Sequence, residues 1–328
     1  LLVREGPQEA DDLQQERGDS HSKPIISLII PSLDGKIDDL RASIAHQYLQ
    51  PNEVEVVVGV RPNGRARNEG VARTHGEILV FVDDDAVLGN EHVIDHLVTP
   101  FLSGDRTIGV TGASKLLPPD ASVWQRYVAS EVPRIEHPVV SQVVETNPDP
   151  PSFYCDITTT CCAMRRDVFE QAGGFDNNLI RGVDTEFFVR LRQFGYRFLL
   201  MPHTWVYHPA PPTLPALLRK HFLYGVGHAQ EVRRDPQRAR GRALTTPLHA
   251  IGFWAFRTAV LFPNIFLPYS YAAPSWRLGF KPLKALTSYV AALGYLWGWY
   301  HADQADQADQ ADQADQSKRE HSERPKRS

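Results

Sequence analysis

Three consecutive aspartates, Asp83, Asp84 and Asp85, close the apolar run Ile78-Leu79-Val80-Phe81-Val82. Three adjacent carboxylates at the end of a buried strand repel one another unless a cation or hydrogen bonds compensate. Side chains alternate in an extended segment, so Asp83 and Asp85 point one way and Asp84 the other. Two carboxylates on one side are hard oxygen ligands for Mg2+ or Mn2+. Such an ion keeps several waters and shares substrate phosphates with one or two carboxylates. The substrate implied by this chemistry carries a diphosphate. A solvated surface turn could also hold three aspartates, and position in the chain separates the two readings.

The surrounding elements supply that position. Ile25-Ile26-Ser27-Leu28-Ile29-Ile30, closed by Pro31, reads as a strand covered on both faces. Leu40, Ile44 and Leu49 space an apolar helical stripe, and Val54-Glu55-Val56-Val57-Val58 is a second β-branched run ending at Gly59. A helical stretch from about Ala66 to His75 leads into the strand before the aspartates. Strands alternating with helices predict an open, mostly parallel α/β sheet, whose ligands bind beyond the carboxyl ends of the strands. The ends at Pro31–Asp34, Gly59–Gly64 and Asp83–Asp85 therefore predict one site. The stretch 109–152 is proline-rich and reads as loops. Order returns with Thr158–Met164 and a helix near Asp167–Ala172, which the turn Gly173-Gly174-Phe175-Asp176 ends. A further helix covers roughly Asp184–Phe194, stopped by Gly195.

With 328 residues the chain can bury one large core or two smaller ones, and its net charge of −4 excludes a globally basic nucleic-acid binder. Cys155, Cys161 and Cys162 suit neither a disulfide framework nor a zinc site, and read as reduced thiols of a cytosolic protein. Residues 1–23 read as a disordered leader without a signal peptide. The C-terminal third opens on a basic stretch (Arg219, Lys220, Arg233, Arg234, Arg238, Arg240, Arg242), followed by apolar segments Ile251–Leu267 and Leu283–Tyr300. Arg257, Pro263 and Lys284 interrupt them, so interfacial attachment to an anionic surface is favoured over spanning, with packing on the core or a second subunit as the bland alternative. Residues 302–316, five copies of Ala-Asp-Gln, read as a solvated low-complexity tail.

Arg65-Ala66-Arg67-Asn68-Glu69-Gly70, followed by Gly76 to Asp85, resembles the family-2 glycosyltransferases with the GT-A fold. So do Ile29-Ile30-Pro31-Ser32-Leu33, Met164 to Phe169, Gly173 to Asp176, Gly182-Val183-Asp184-Thr185-Glu186 and Val206-Tyr207-His208. The resemblance spans about residues 24–210. It implies that Pro31, Arg67, Asn68, Asp83 and Asp84 frame the nucleotide sugar, that Asp85, Asp83 and His208 hold a divalent metal, and that Asp184 is the general base. Ordinary alternatives are an N-cap role for Asp184, a hydrogen-bonded His208 and a surface Arg67.

The resemblance implies a transferase that moves a sugar from a nucleoside-diphosphate sugar to a hydroxyl acceptor, and one base with a direct displacement predicts inversion. The chain has no Gln-x-x-Arg-Trp run of the processive synthases, which favours a single addition, and membrane-bound C-terminal segments would favour a glycan or lipid-linked envelope precursor as acceptor. The location of the chain would be cytoplasmic, with peripheral membrane contact through 219–300. Expected domains are 24–212 for the GT-A unit, 213–300 for a basic and apolar helical region, and 301–328 for the tail. Two positions depart from the family pattern. Gly59–Gly64 carries no carboxylate to read the base, and Val183-Asp184 stands where an acidic pair is usual. The rival readings are a non-catalytic sugar-nucleotide-binding or scaffold protein and a sugar nucleotidyltransferase. The latter lacks its Gly-rich basic loop, since Pro31-Ser32-Leu33-Asp34-Gly35-Lys36 follows the first strand.

Overall fold

The computed structural model describes residues 24–146, 157–236, 242–266 and 280–301. The leader, Cys155, Arg238, Arg240, Leu267 and the Ala-Asp-Gln tail lie outside the described residues. In chain order the elements are β1 (Ile26–Ser32), α1 (Asp38–Ala45), β2 (Glu53–Val58), α2 (Asn63–Arg73), β3 (Ile78–Val82), β4 (Val87–Leu88), α3 (Val93–Val98), β5 (Ile108–Leu116) and α4 (Val123–Glu131). There follow β6 (Val144–Glu145), β7 (Cys161–Arg165), α5 (Arg166–Gln171), α6 (Val183–Gln193), β8 (Arg197–Tyr207), α7 (Leu214–Arg234), α8 (Pro247–Ala259) and α9 (Leu261–Asn264). A last helix, α10, covers 282–301.

One eight-stranded sheet runs β2-β1-β3-β7-β5-β8-β4, with β6 paired to β8. β1, β2, β3, β5 and β8 share one direction, and β7 runs against its neighbours β3 and β5. The mostly parallel GT-A-like sheet expected from the sequence is the one observed. Every residue of β1, β3 and β7 is buried, and for β1 and β3 this is why they read as nearly continuous apolar runs. The twofold alternation of side chains divides the core. Leu28, Ile30, Val80 and Val82 pack under α1 and α3. Ile29, Leu79 and Phe81 pack under α2, α5 and α6.

The expectation of loops over 109–152 is corrected. Ile108–Leu116 is a central strand, and Val123–Glu131 is a helix whose Ser122 and Gln125 form a reciprocal capping box. Gly109 and Gly112 obscured the strand, yet each glycine is required by a close approach: a Cβ at Gly112 would lie 2.5 Å from the Ile157 side chain.

The two apolar C-terminal segments part company. α10 packs against α7 through glycines, where a Cβ at Gly225 would lie 1.9 Å from the Ala291 carbonyl and one at Gly294 2.0 Å from that of Phe222. α8 has no buried residue. Among the described residues no helix is long and apolar enough to cross a membrane.

Candidate active site

The carboxyl end of β3 is fixed from both sides. The Asp83 N–H donates to the Thr160 carbonyl at 3.1 Å, just before β7, and the Ala86 N–H donates to the Asp83 carbonyl at 3.1 Å to close a turn. β4 then pairs antiparallel with the end of β8, Val87 opposite Tyr207. Continuing that register sets Ala86 opposite His208 and brings Asp85 beside it. The β8 strand reaches this point through a bulge: between the pairs Gly112–Leu200 and Ser114–Trp205, β5 advances two residues and β8 five. The His208 N–H donates to the Leu116 carbonyl at 2.9 Å, tying the histidine to the end of β5.

The result is a compact donor set. Ligand atoms of Asp83, Asp85 and His208 lie within 4.8 Å of one another, with His208 Nε2 3.3 Å from Asp85 Oδ1. Burial, then the charges of Lys115 and Lys220, push the His208 imidazole down to about 3, so the ring is neutral and its lone pair is available to a cation. Burial raises the Asp85 carboxyl against the pull of Lys220. Asp84, on the opposite side of the strand, is hydrogen-bonded to Ser32. Burial first, and then Asp85, Asp83 and Asp34, push its carboxyl up to about 6. Two carboxylates and a neutral imidazole at this spacing fit a divalent ion such as Mn2+ or Mg2+.

Arg67, 3% exposed, grips Asp83: its Nη2 donates to Oδ1 at 2.5 Å. Its guanidinium lies 5.8 Å from the Phe175 ring centroid, and its buried Nε has no hydrogen-bond partner. Arg67 is therefore no surface residue of α2. Asn68 reaches from α2 to the turn before α6. Its amide donates to the Phe175 carbonyl at 2.7 Å and to Asn177 Oδ1 at 2.8 Å, and its Oδ1 accepts from the Phe175 N–H at 2.9 Å. Asn68 thus pins the Gly173–Asp176 turn and, through Phe175, positions Arg67. Pro31 is buried in β1 opposite Val57.

Asp184 lies in the first turn of α6, but the N-cap is Gly182 in the left-handed conformation. Its carboxylate accepts from the Thr185 N–H at 2.9 Å. The loop before it is held by α7: Gln230 accepts from the Ile180 N–H at 3.3 Å, and Gly227 approaches the Arg181 backbone so closely that a Cβ would lie 2.5 Å from its carbonyl. Lys115 feels both Asp83 and Asp184, and burial together with Lys220 and Arg134 pushes its ammonium down to about 7. Lys115 and Lys220 were not among the residues expected here. Lys115 is a lone cation at the end of the strand that had read as loop, and Lys220 had been grouped with a basic stretch. That stretch is divided: Lys220 lies within electrostatic reach of Asp85, whereas Arg234 pairs with Asp176. Cys161 and Cys162 are free and buried in β7, and burial raises both thiols.

The family described as Glycosyltransferase like family 2 matches residues 24–223. The chain belongs to this family. It is 25% identical over 280 residues to the O-antigen chain rhamnosyltransferase WbaN of Salmonella anatum, covering 84% of this chain and 80% of that one. It is 26% identical over 177 residues to the O-antigen biosynthesis protein RfbC of Myxococcus xanthus, covering 51% of this chain and 14% of RfbC. The chain thus spans most of one relative and a small part of another. Among solved structures, the mannosyltransferase PcManGT of Pyrobaculum calidifontis, in complex with GDP-Man and Mn2+, aligns with TM-score 0.51 at 16% identity, over 84% of this chain and 88% of that one. That likeness concerns the fold.

Proposed function

We propose that the chain transfers a sugar from a nucleoside-diphosphate sugar to a hydroxyl acceptor, with inversion, in the cleft between Asp83, Asp85, His208 and Asp184. The observation that carries this reading is the convergence of two carboxylates and a neutral imidazole within 4.8 Å at the carboxyl end of the sheet. Asp85, His208 and the Asp83 oxygen not gripped by Arg67 would hold a divalent ion. When bound, that ion supplies Lewis-acid neutralisation of the departing diphosphate. Arg67 fixes the orientation of Asp83, and Lys115 and Lys220 add positive charge within reach of Asp85.

Asp184 takes the proton of the acceptor hydroxyl as its oxygen bonds to the anomeric carbon and the bond to the diphosphate breaks. The Thr185 N–H, on Oδ1, is its hydrogen-bond partner among the described residues, which leaves Oδ2 for the hydroxyl. One base and one displacement invert the anomeric centre. A glycan or lipid-linked acceptor is favoured because the named relatives belong to O-antigen assembly. Such an acceptor goes with cytoplasmic-face membrane contact within 219–300.

Asp184→Asn tests the base. Turnover should fall by about 10²–10⁴-fold, the usual contribution of positioned proton transfer, with donor affinity unchanged. An unchanged rate would remove Asp184 from the mechanism. Retention of configuration in the product, read by NMR, would overturn the single displacement.

A further inference from the structure

Helix α8 and the turn α9 touch the body through a narrow stripe. Ala250, Phe253, Arg257 and Asn264 are half-buried, at helical spacing. They face α10: Phe253 lies 5.4 Å from the Tyr295 ring, and Arg257 donates to the Ser288 carbonyl at 3.2 Å. On a surface helix the opposite face carries charged and polar side chains. Here it carries Leu248, Ile251, Phe256 and Phe262, which are 59–75% exposed. Apolar residues scattered singly on a surface need no explanation, but a contiguous set marks an interaction face.

Charge identifies the occupant. Between Asp235 and Asp303 the sequence has no Asp or Glu and seven Lys or Arg, in a chain whose net charge is −4. Arg242 is exposed shortly before α8. The Lys281 backbone N–H donates to the Ile265 carbonyl just beyond α9 at 2.9 Å, and its ammonium donates to the Ser130 carbonyl at 2.8 Å. The cation inside α8, Arg257, is turned inward onto α10 and leaves the outer face free of charge at that point. An apolar face beside the exposed Arg242, in a stretch of sequence that carries cations and no carboxylates, suits anionic headgroups over an acyl interior.

We propose that α8–α9 is an in-plane membrane anchor whose outer face enters the headgroup–acyl boundary of an anionic bilayer. α10 is not part of it, because Ala285, Ala292 and Tyr295 are buried. This placement deepens the membrane contact of the proposed function and rests on none of its chemistry. An enzyme so anchored would share its bilayer with a lipid-linked hydroxyl acceptor.

The full chain should co-sediment with phosphatidylcholine–phosphatidylglycerol vesicles about tenfold or more better than with phosphatidylcholine alone, and less well as salt rises. Ile251→Glu combined with Phe262→Glu should weaken vesicle binding by about tenfold or more while the thermal melt is unchanged. Binding is measured without donor, so it succeeds or fails separately from the transferase reading. Equal binding by wild type and variant, or none by wild type, overturns the anchor. A wild-type dimer that the double variant converts to monomer in light scattering, with no vesicle binding, would make the face a contact between copies instead.

Discussion

α8 and α10 come from segments of similar composition, rich in aromatics, alanine and glycine and each interrupted by a cation, yet one is outside and the other inside. The difference lies in where the glycines fall. In α10, Gly294 and Gly298 face α7, and a Cβ at Gly298 would lie 2.8 Å from the Val226 Cα. In α8, a Cβ at Gly252 would meet nothing within 4 Å. Backbones that approach this closely exclude water from a helix pair, so α10 becomes core. α8 has no such partner, and its apolar side chains remain outward. Composition alone predicts one fate for both segments, and only three-dimensional packing separates them.

Substitution at these glycines should separate them energetically. Gly294→Leu must push α7 and α10 apart and should cost about 3 kcal/mol, at the upper end for overpacking, read by urea denaturation. Gly252→Leu should lie within about 0.5 kcal/mol of wild type or gain up to about 1 kcal/mol from helix propensity. Equal losses at both positions would erase the contrast. The polar stitch between the helices is weaker: Arg257→Ala removes the bond to Ser288 and should cost about 1 kcal/mol, with faster amide exchange in α8. No change would mean that α8 is held by its apolar stripe alone.

The smallest effect lies at Asp84, where burial outweighs the hydrogen bond to Ser32. Asp84 is raised to about 6, so its ionised form is disfavoured in the fold and stability falls as pH rises through that value. With divalent ions chelated, Asp84→Asn should be more stable than wild type above pH 6, and the gap should close as pH falls towards the ordinary carboxylate range. A constant gap would place Asp84 in a fully hydrated setting.

Much of this was legible in the sequence, for physical reasons. β1 and β3 are buried on both faces, so their runs of Ile, Leu and Val announce them, and Asp83–Asp85 stand out at the end of β3. β5 was missed because Gly109, Thr111, Gly112 and Ser114 dilute its apolar signal, although their small size is what lets Tyr196 and Ile157 pack so close. The Ser122–Gln125 box that opens α4 was visible but followed a Pro-rich stretch. Lys115 escaped notice with its strand, and Lys220 because a basic run hides which cation faces a site. The hold of Asn68 on Phe175 could not be read, since it joins residues 107 positions apart.

The central claim is that Asp83, Asp85 and His208 form one cation site serving diphosphate departure. The direct test incubates the purified chain with UDP-, GDP- and dTDP-sugars, with Mn2+ or EDTA, and measures nucleoside diphosphate released by wild type and Asp85→Ala. The account predicts release from one donor, abolished by EDTA and reduced about 10²-fold or more in the variant. Equal release in EDTA, or by Asp85→Ala, would contradict it.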